Sequence, residues 1–514
     1  MKICNSNRRP RNRRTKIIFI LVILNITIHY YLISFDDNLN SNNSIKTSSF
    51  VYDVIPQICS DGSGGAIITS ESYDKCFVQY VNSSGDIQWE ENGILINPDV
   101  RNYYNANTKI ISDDVGGSIV ATSTDNDLLV MRLNSSGDVQ WNVEMKPYYY
   151  YNSEGYQICS DGANGIIIAW VNGDSIYAQK VNASGDIQWG ENGIAICDAP
   201  GDQEYPVICS DSDGGAIIAW EDRRSGEYGT DIYAQRINAS GDIQWNENGV
   251  AICIADNYQS SFQICNDNAN GVIIIWEDYR NSEDKGYPNY NSSDIYTQRI
   301  NASGNIQWKA NGIVICNASD HQGTPKVCSD GDGGAIIVWE DDRSGDYGTD
   351  VYVQSINSSG KVLWKENGVI LANATTYIRK DIDICIDGGG GVIITWEDHD
   401  SIYAQRINSL GDVQWKENGI IIGDGNAFPG YLDICYDENG GAIISWQRGW
   451  NGHIIYAQRL NSSGDLLWGE KGVIVYRDHS GPIAPLGSSY ILFMVIGIFL
   501  LIIIVKRKIS YKNK

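Results

Sequence analysis

Pro206-Val-Ile-Cys-Ser-Asp-Ser-Asp-Gly-Gly-Ala-Ile-Ile-Ala-Trp-Glu-Asp-Arg-Arg224, then Asp231-Ile-Tyr-Ala-Gln-Arg-Ile-Asn-Ala-Ser-Gly-Asp-Ile-Gln-Trp-Asn-Glu-Asn-Gly-Val-Ala-Ile-Cys253, is one copy of a unit spelled out eight times. The tryptophan near the end of each copy falls at Trp89, Trp141, Trp189, Trp245, Trp308, Trp364, Trp415 and Trp468, at spacings of 52, 48, 56, 63, 56, 51 and 53 residues. Within the quoted copy the apolar runs are Val207–Cys209, Ala216–Trp220, Ile232–Ile237 and Ile243–Cys253. They are separated by Ser-Asp-x-x-Gly-Gly and Asn-x-Ser-Gly-Asp, whose residues tolerate positive φ or bond their own backbone. Short runs rich in Ile, Val, Tyr and Trp between such turns read as antiparallel strands. No helical periodicity is sustained between Val51 and Val475.

Four strands per unit and a period near fifty predict an all-β chain forming a β-propeller of about eight four-stranded blades. A blade cannot bury its own apolar faces, so the ring must close to be stable. A β-solenoid is the competing architecture, with rungs usually shorter than this period. The second copy is the most worn: Ile111 stands at the repeat cysteine position, and the Glu-Asn-Gly turn after Trp141 is missing. Seven blades plus a stray element is the alternative count.

The unit D-G-x-G-G-x-I-I-x-W-E-D-x-R … D-I-Y-A-Q-R-x-N-x-x-G-x-x-x-W resembles the propeller repeats of secreted and surface bacterial and archaeal proteins over nearly all of residues 51–475. More distantly it looks like the Asp-box propellers of sialidase type, although Asn238 to Trp245 does not match that motif at its Asp and Gly positions. The turn Asn357-Ser-Ser-Gly-Lys-Val-Leu-Trp364 looks like the tryptophan-docking turn of quinoprotein propellers. These resemblances imply architecture and carry no activity with them.

The ends differ in kind from the middle. A basic tail (1–16) precedes an apolar run (17–33) and a linker (34–50), and a second linker (476–487) precedes an apolar run (488–505) and a basic tail (506–514). Each run is about long enough to span a bilayer. The first reads as a signal anchor or a signal peptide. Basic residues flank both runs on the outer side, so the positive-inside rule places both termini in the cytoplasm and the 51–475 propeller outside the cell membrane. The chain carries 38 Lys and Arg and 63 Asp and Glu. Twelve of the basic residues and none of the acidic ones sit in the two tails, which leaves a formal net of −37 elsewhere. So acidic an ectodomain argues against a nucleic-acid partner and for solubility or basic partners.

Of twelve cysteines, seven share one repeat position (Cys59, Cys159, Cys209, Cys265, Cys328, Cys385, Cys435) and three end a unit (Cys197, Cys253, Cys316). Buried free thiols are expected rather than disulfides, because an outer-edge strand and the next axial strand lie too far apart to bridge. Seven Asn-x-Ser/Thr sequons fall on the repeat's hairpin turn, at Asn82, Asn134, Asn182, Asn238, Asn301, Asn357 and Asn461. They are candidate glycosylation sites and equally good turn chemistry. Asn291, Asn317 and Asn373 add others.

Binding specificity on a rigid ring is expected where copies differ, in the loops between second and third strands. Those of units four to six are long and share Trp-Glu-Asp-x-Arg. Trp220, Asp222 and Arg224, Trp276, Asp278 and Arg280, and Trp339, Asp341 and Arg343 are therefore the candidate binding residues. They could stack on and hydrogen-bond a sugar or peptide, or lock the loops internally. Asp211–Asp213 and Asp330–Asp332 look like fragments of a calcium loop but lack the full oxygen set, so no metal or cofactor is expected. The five histidines, His29, His321, His399, His453 and His479, recur with no Ser or Cys partner, and no catalytic constellation emerges. The expectation is a membrane-anchored binding or adhesion module for glycan, protein or envelope material. The alternatives are an extracellular glycosidase-like hydrolase working through loop carboxylates, and a purely structural envelope protein.

Overall fold

The computed structural model describes residues 55–477, apart from 73–74, 91, 97–106, 124–126, 147–154, 227–228, 283–291, 346–347, 374–380, 399–400, 424–428 and 449–453. Thirty-two strands form eight antiparallel sheets of four, each from one contiguous stretch of chain. This is an eight-bladed propeller. Blade 4 is β13 (Gln203–Ser210), β14 (Ala216–Asp222), β15 (Asp231–Ile237) and β16 (Val250–Cys253). The other first strands are β1 (Gln57–Ser60), β5 (Thr108–Ser112), β9 (Tyr156–Ser160), β17 (Gln259–Asn266), β21 (Gln322–Ser329), β25 (Ile382–Ile386) and β29 (Pro429–Tyr436). First strands touch in succession round the ring, and β29 meets β1 to close it.

The second strands are the filling of the disc. In β14 every residue from Ala216 to Asp222 is buried. A strand flanked by sheets on both faces needs a continuous apolar run rather than an alternating one. Eight apolar clusters result, each spanning two adjacent blades. The worn second copy still builds a full blade. Lacking the Glu-Asn-Gly turn, it runs on as one long outer strand, β8 (Val139–Met145).

The outer strand is shorter than the sequence pattern suggests. Ile243 makes an isolated bridge to Ile237, and the ladder resumes only at Val250. The intervening Trp245 leaves its own sheet, and its Nε1 donates to the Ala302 carbonyl of blade 5 at 3.0 Å. The same tie recurs from Trp89 to Ser135, Trp141 to Ala183, Trp189 to Ala239, Trp308 to Ser358, Trp415 to Ser462 and Trp468 to Ser83. Each indole lies on the turn glycine of the next blade. A Cβ built on Gly304 (φ 79°) would stand 2.7 Å from Trp245 Cγ, so glycine is required for the contact as well as for the turn.

A second girdle runs beside it. Asp211 Oδ1 accepts the Asp213 and Gly215 N–H groups, which explains the Ser-Asp-x-x-Gly-Gly pattern as a capped turn. Its Oδ2 accepts from Arg236 Nε at 2.9 Å, and Arg236 Nη1 reaches the Ala302 carbonyl. Equivalent arginines pair with Asp113, Asp267, Asp387 and Asp437. Lys180 serves in blade 3 and Tyr80 in blade 1. The calcium-loop resemblance at Asp211 and Asp330 therefore reflects turn capping.

Both kinds of turn lie on one face of the disc, the turn face. The strand ends that lead into the second-to-third loops and the blade links lie on the other, the link face. The segments 17–33 and 488–505 lie outside the described residues, among which no helix is long and apolar enough to cross a membrane.

Candidate functional site: the link face

Trp220, Asp222 and Arg224 come together at the end of β14, as expected, but face inward. Trp220 and Asp222 are each 0% exposed. Trp220 Nε1 donates to Asp222 Oδ2 at 2.8 Å, and Arg224 grips the same carboxylate through Nε at 2.7 Å and Nη2 at 2.6 Å. The guanidinium lies 3.8 Å over the Tyr233 ring, which stacks on Trp220. Trp276, Asp278, Arg280 and Tyr296 repeat this arrangement, as do Trp339, Asp341, Arg343 and Tyr352.

Of the two uses open to this motif, ligand contact and internal locking, the Trp and Asp side chains serve the second. An indole and a carboxylate without exposed surface, every polar atom already bonded, have nothing to offer a sugar. The three triads are internal clasps. Their arginines also explain the three unit-ending cysteines. Arg224 Nη2 lies 3.3 Å from Cys197 Sγ of blade 3 and donates to the Asn248 carbonyl at 2.9 Å. Cys253 and Cys316 receive Arg280 and Arg343 in the same way. Each clasp fastens its blade to the end of the preceding one.

All eleven described cysteines are free thiols. Burial pushes the Cys253 thiol up to about 12, with the Asp278 carboxylate adding to the effect, and burial does the same at Cys316. Thiols so held behave as small apolar residues.

The motif's Glu carries a role the sequence reading missed. Glu277 Oε1 accepts the Thr324 N–H of the next blade at 2.7 Å, while its Oε2 accepts from Tyr279. Thr324 has φ 47° at a bulge in β21, which turns its N–H out of the ladder. Nearby, Ser293 Oγ lies 2.7 Å from His321 Nδ1 and donates to the Gln322 carbonyl at 2.6 Å. Ser293 is fully buried, and Thr230 makes the same carbonyl bond one blade earlier. The Ser–His contact is thus a link-fastening bond. His399 and His453 lie outside the described residues.

Two carboxyls beside the clasps are chemically distinctive. Asp231 and Asp294 sit directly across the sheet from Asp222 and Asp278. Burial raises both from their ordinary value, against hydrogen bonds from Ser225 and Asn281 respectively, and the neighbouring clasp carboxylate adds to the rise.

The seven sequon asparagines all lie in turn-face hairpins. Asn238 Oδ1 accepts the Ser240 and Asp242 N–H groups, and its Nδ2 approaches Asp242 Oδ2 at 3.2 Å. Asn82, Asn134, Asn182, Asn301, Asn357 and Asn461 use Oδ1 in the same way. Asn291 lies outside the described residues.

No family profile matches the chain, and no curated protein matches it. Solved structures do. A eukaryotic initiation factor covers 86% of this chain and 96% of its own at 8% identity and a TM-score of 0.43. An ulvan lyase, a polysaccharide lyase, covers 71% and 92% at 10% identity and 0.43. The α-L-arabinanase of Penicillium chrysogenum covers 62% and 96% at 12% identity and 0.35. These are likenesses of fold.

Proposed function

We propose that the chain is a membrane-anchored extracellular propeller that recognises a glycan, protein or envelope partner, with the link-face loops of blades 4–6 as the recognition surface. The observation that carries this reading is the contrast between frame and loops. Trp girdle and apolar filling repeat round the disc, and the Asp–Arg girdle recurs in five blades, whereas among the described residues blades 4–6 combine clasped second strands with long loops after them. A frame so uniform has no need of three long loops for its own closure, and loop variation on a rigid ring is the usual seat of specificity. The clasps hold the loop bases, and the residues beyond them meet the partner. The apolar runs 17–33 and 488–505 serve as anchors. Purified chain should bind on a glycan and protein array, and shortening the blade 4–6 loops to the length of the Asn172–Ser175 hairpin should abolish binding without lowering the melting temperature. Full binding by that variant would refute the assignment.

A second reading, glycosidase-like hydrolysis, has one observation in its favour. Asp231 and Asp294, buried opposite a second carboxylate and raised from their ordinary value, have surroundings of the kind a general acid needs. Sugar turnover abolished by Asp294→Asn would establish it.

A further inference from the structure

In blade 4 a single guanidinium ties the turn face together. Arg236 Nε and Nη2 lie 2.9 Å and 2.8 Å from Asp211 Oδ2, Nη2 lies 3.5 Å from Asp213 Oδ2, and Nη1 donates to the Ala302 carbonyl of blade 5 at 3.2 Å. Blade 6 keeps the acceptors of this arrangement and lacks the donor. Ser355 stands at the arginine's position, opposite Ile336 as Arg236 stands opposite Ile217. Asp330 and Asp332 repeat Asp211 and Asp213, and Asp330 Oδ1 caps its turn by accepting the Asp332 and Gly334 N–H groups. Across the blade boundary, Ser409 follows Asn408 in its hairpin as Ala302 follows Asn301.

Among the described residues nothing donates to Asp330 Oδ2, to the Asp332 carboxylate or to the Ser409 carbonyl. The hydroxyl of Ser355, a residue 3% exposed, has no hydrogen-bond partner among them either. At the other seven blade junctions the carbonyl matching that of Ser409 accepts the indole N–H of the preceding blade. Trp364 covers Gly411 in the usual way, since a Cβ there would stand 3.0 Å from its Nε1, yet that Nε1 bonds nothing among the described residues.

We propose that the blade 6–blade 7 junction of the turn face is a binding site for a guanidinium group from outside the chain, seated where Arg236 and its counterparts supply one from within. The acceptor geometry selects the group. Lys180, the ammonium of blade 3, reaches Asp161 Oδ2 and the Gly214 carbonyl but no hairpin carbonyl. The five girdle arginines each span a turn carboxylate and a hairpin carbonyl of the next blade. A planar fork with donors on both sides is the shape that does this. Two carboxylates and one carbonyl fall short of a calcium oxygen set. Asp332 is exposed, so the site opens to solvent, and the acidic balance of the propeller attracts cations to it. The site lies on the opposite face from the blade 4–6 loops and does not depend on them.

The test is calorimetric titration of the full-length chain with ethylguanidinium chloride, with ethylammonium chloride at the same ionic strength as control. Ethylguanidinium should show one saturable site and ethylammonium none of comparable strength. Ser355→Arg supplies the guanidinium from within and should abolish that binding while raising the melting temperature. Asp330→Asn keeps an acceptor for the turn and loses the charge, so it should weaken binding about tenfold or more, the effect of one charge-assisted hydrogen bond. Asp332→Asn should also weaken it, and its exposed side chain keeps the comparison available where Asp330→Asn folds poorly. Agmatine and acetyl-arginine amide separate the sources: tighter binding of the amide marks an arginine of a partner protein, and of agmatine a free guanidino compound. No saturable binding of ethylguanidinium, equal binding of ethylammonium, or binding undiminished in Ser355→Arg would overturn the site.

Discussion

At the scale of single residues, identity in the repeat and availability to a partner are opposed. Trp220, Asp222 and Arg224 are conspicuous in the sequence because the fold consumes them. The carboxylate of Asp222 is 0% exposed and carries four donors. Truncating Arg224 leaves that charge buried with only the indole and the Arg224 backbone N–H. Breaking a buried pair typically costs about 3–5 kcal/mol, and the partial exposure of the guanidinium moves the expectation to the lower part of that range. Arg224→Ala should thus lower the urea midpoint clearly, while Arg223→Ala, at a half-exposed ion pair with Glu204, should scarcely move it. Glu71, at the end of the second strand of blade 1, gives a pH prediction. Burial pushes it up to about 7 from an ordinary 4.5, despite hydrogen bonds from Thr108 and the pull of Lys109. Its folded value lies above its unfolded one, so its contribution is complete below about 4.5 and disappears as pH rises through about 7. Glu71→Gln should flatten the fall in melting temperature between those values. The thiols make a third case. Native chain should resist iodoacetamide at neutral pH at Cys253 and Cys316, and unfolding in urea should expose both; mass spectrometry of the alkylated chain reads the difference.

At the scale of strands and turns, the hairpin after the third strand does more than reverse the chain. It is the socket for the preceding blade's tryptophan. Gly241 has φ 89°, and a Cβ there would stand 2.8 Å from Trp189 Cδ1. Gly241→Ala meets a left-handed penalty of about 1–2 kcal/mol together with a displaced indole, so its melting temperature should fall well below that of Asp242→Ala in the same turn. Turns and inner strands were legible in the sequence because they depend on local chemistry: Ser-Asp-x-x-Gly-Gly caps itself, and Ala216–Trp220 declares its burial. The outer strand was not. Ile243–Cys253 reads as one apolar run, yet Trp245 is apolar on account of another blade, and no local pattern distinguishes the two kinds of partner. The clasps were legible only as one of two readings, a locked loop or a binding one, for the same reason. Trp-Glu-Asp-x-Arg has the composition of a binding loop, and only the position of Tyr233 across the sheet and of Cys197 across the blade boundary turns it inward.

At the scale of the whole molecule, stability is shared between neighbours and no blade is self-sufficient. Removing blade 8 would uncover Ile58, Ile68 and Val81, which form one apolar cluster with Ile443, Ile455 and Val475. A linear array of repeats tolerates loss of a terminal unit in proportion to one interface; a closed ring loses two. Truncation at residue 428 should therefore abolish cooperative melting, where a solenoid would merely soften it, and calorimetry distinguishes the outcomes. The junction of blades 8 and 1 also has a mechanical meaning. The described chain enters at β1 and leaves at β32 (Val473–Arg477), on adjacent blades and on the same face of the disc. Beyond that apolar cluster, the contacts joining these blades among the described residues include the Ile58–Asp433 bond, Arg459 and Trp468 on the Ser83 carbonyl, Arg477 N–H on Asn92, and Phe77 against Tyr476. Among the described residues no ladder of backbone bonds lies in shear between the two blades. Tension applied through them would load these contacts one after another, in peeling geometry. The disc thus has a built-in tear line, and under load it would open like a clasped bracelet before any blade unravelled.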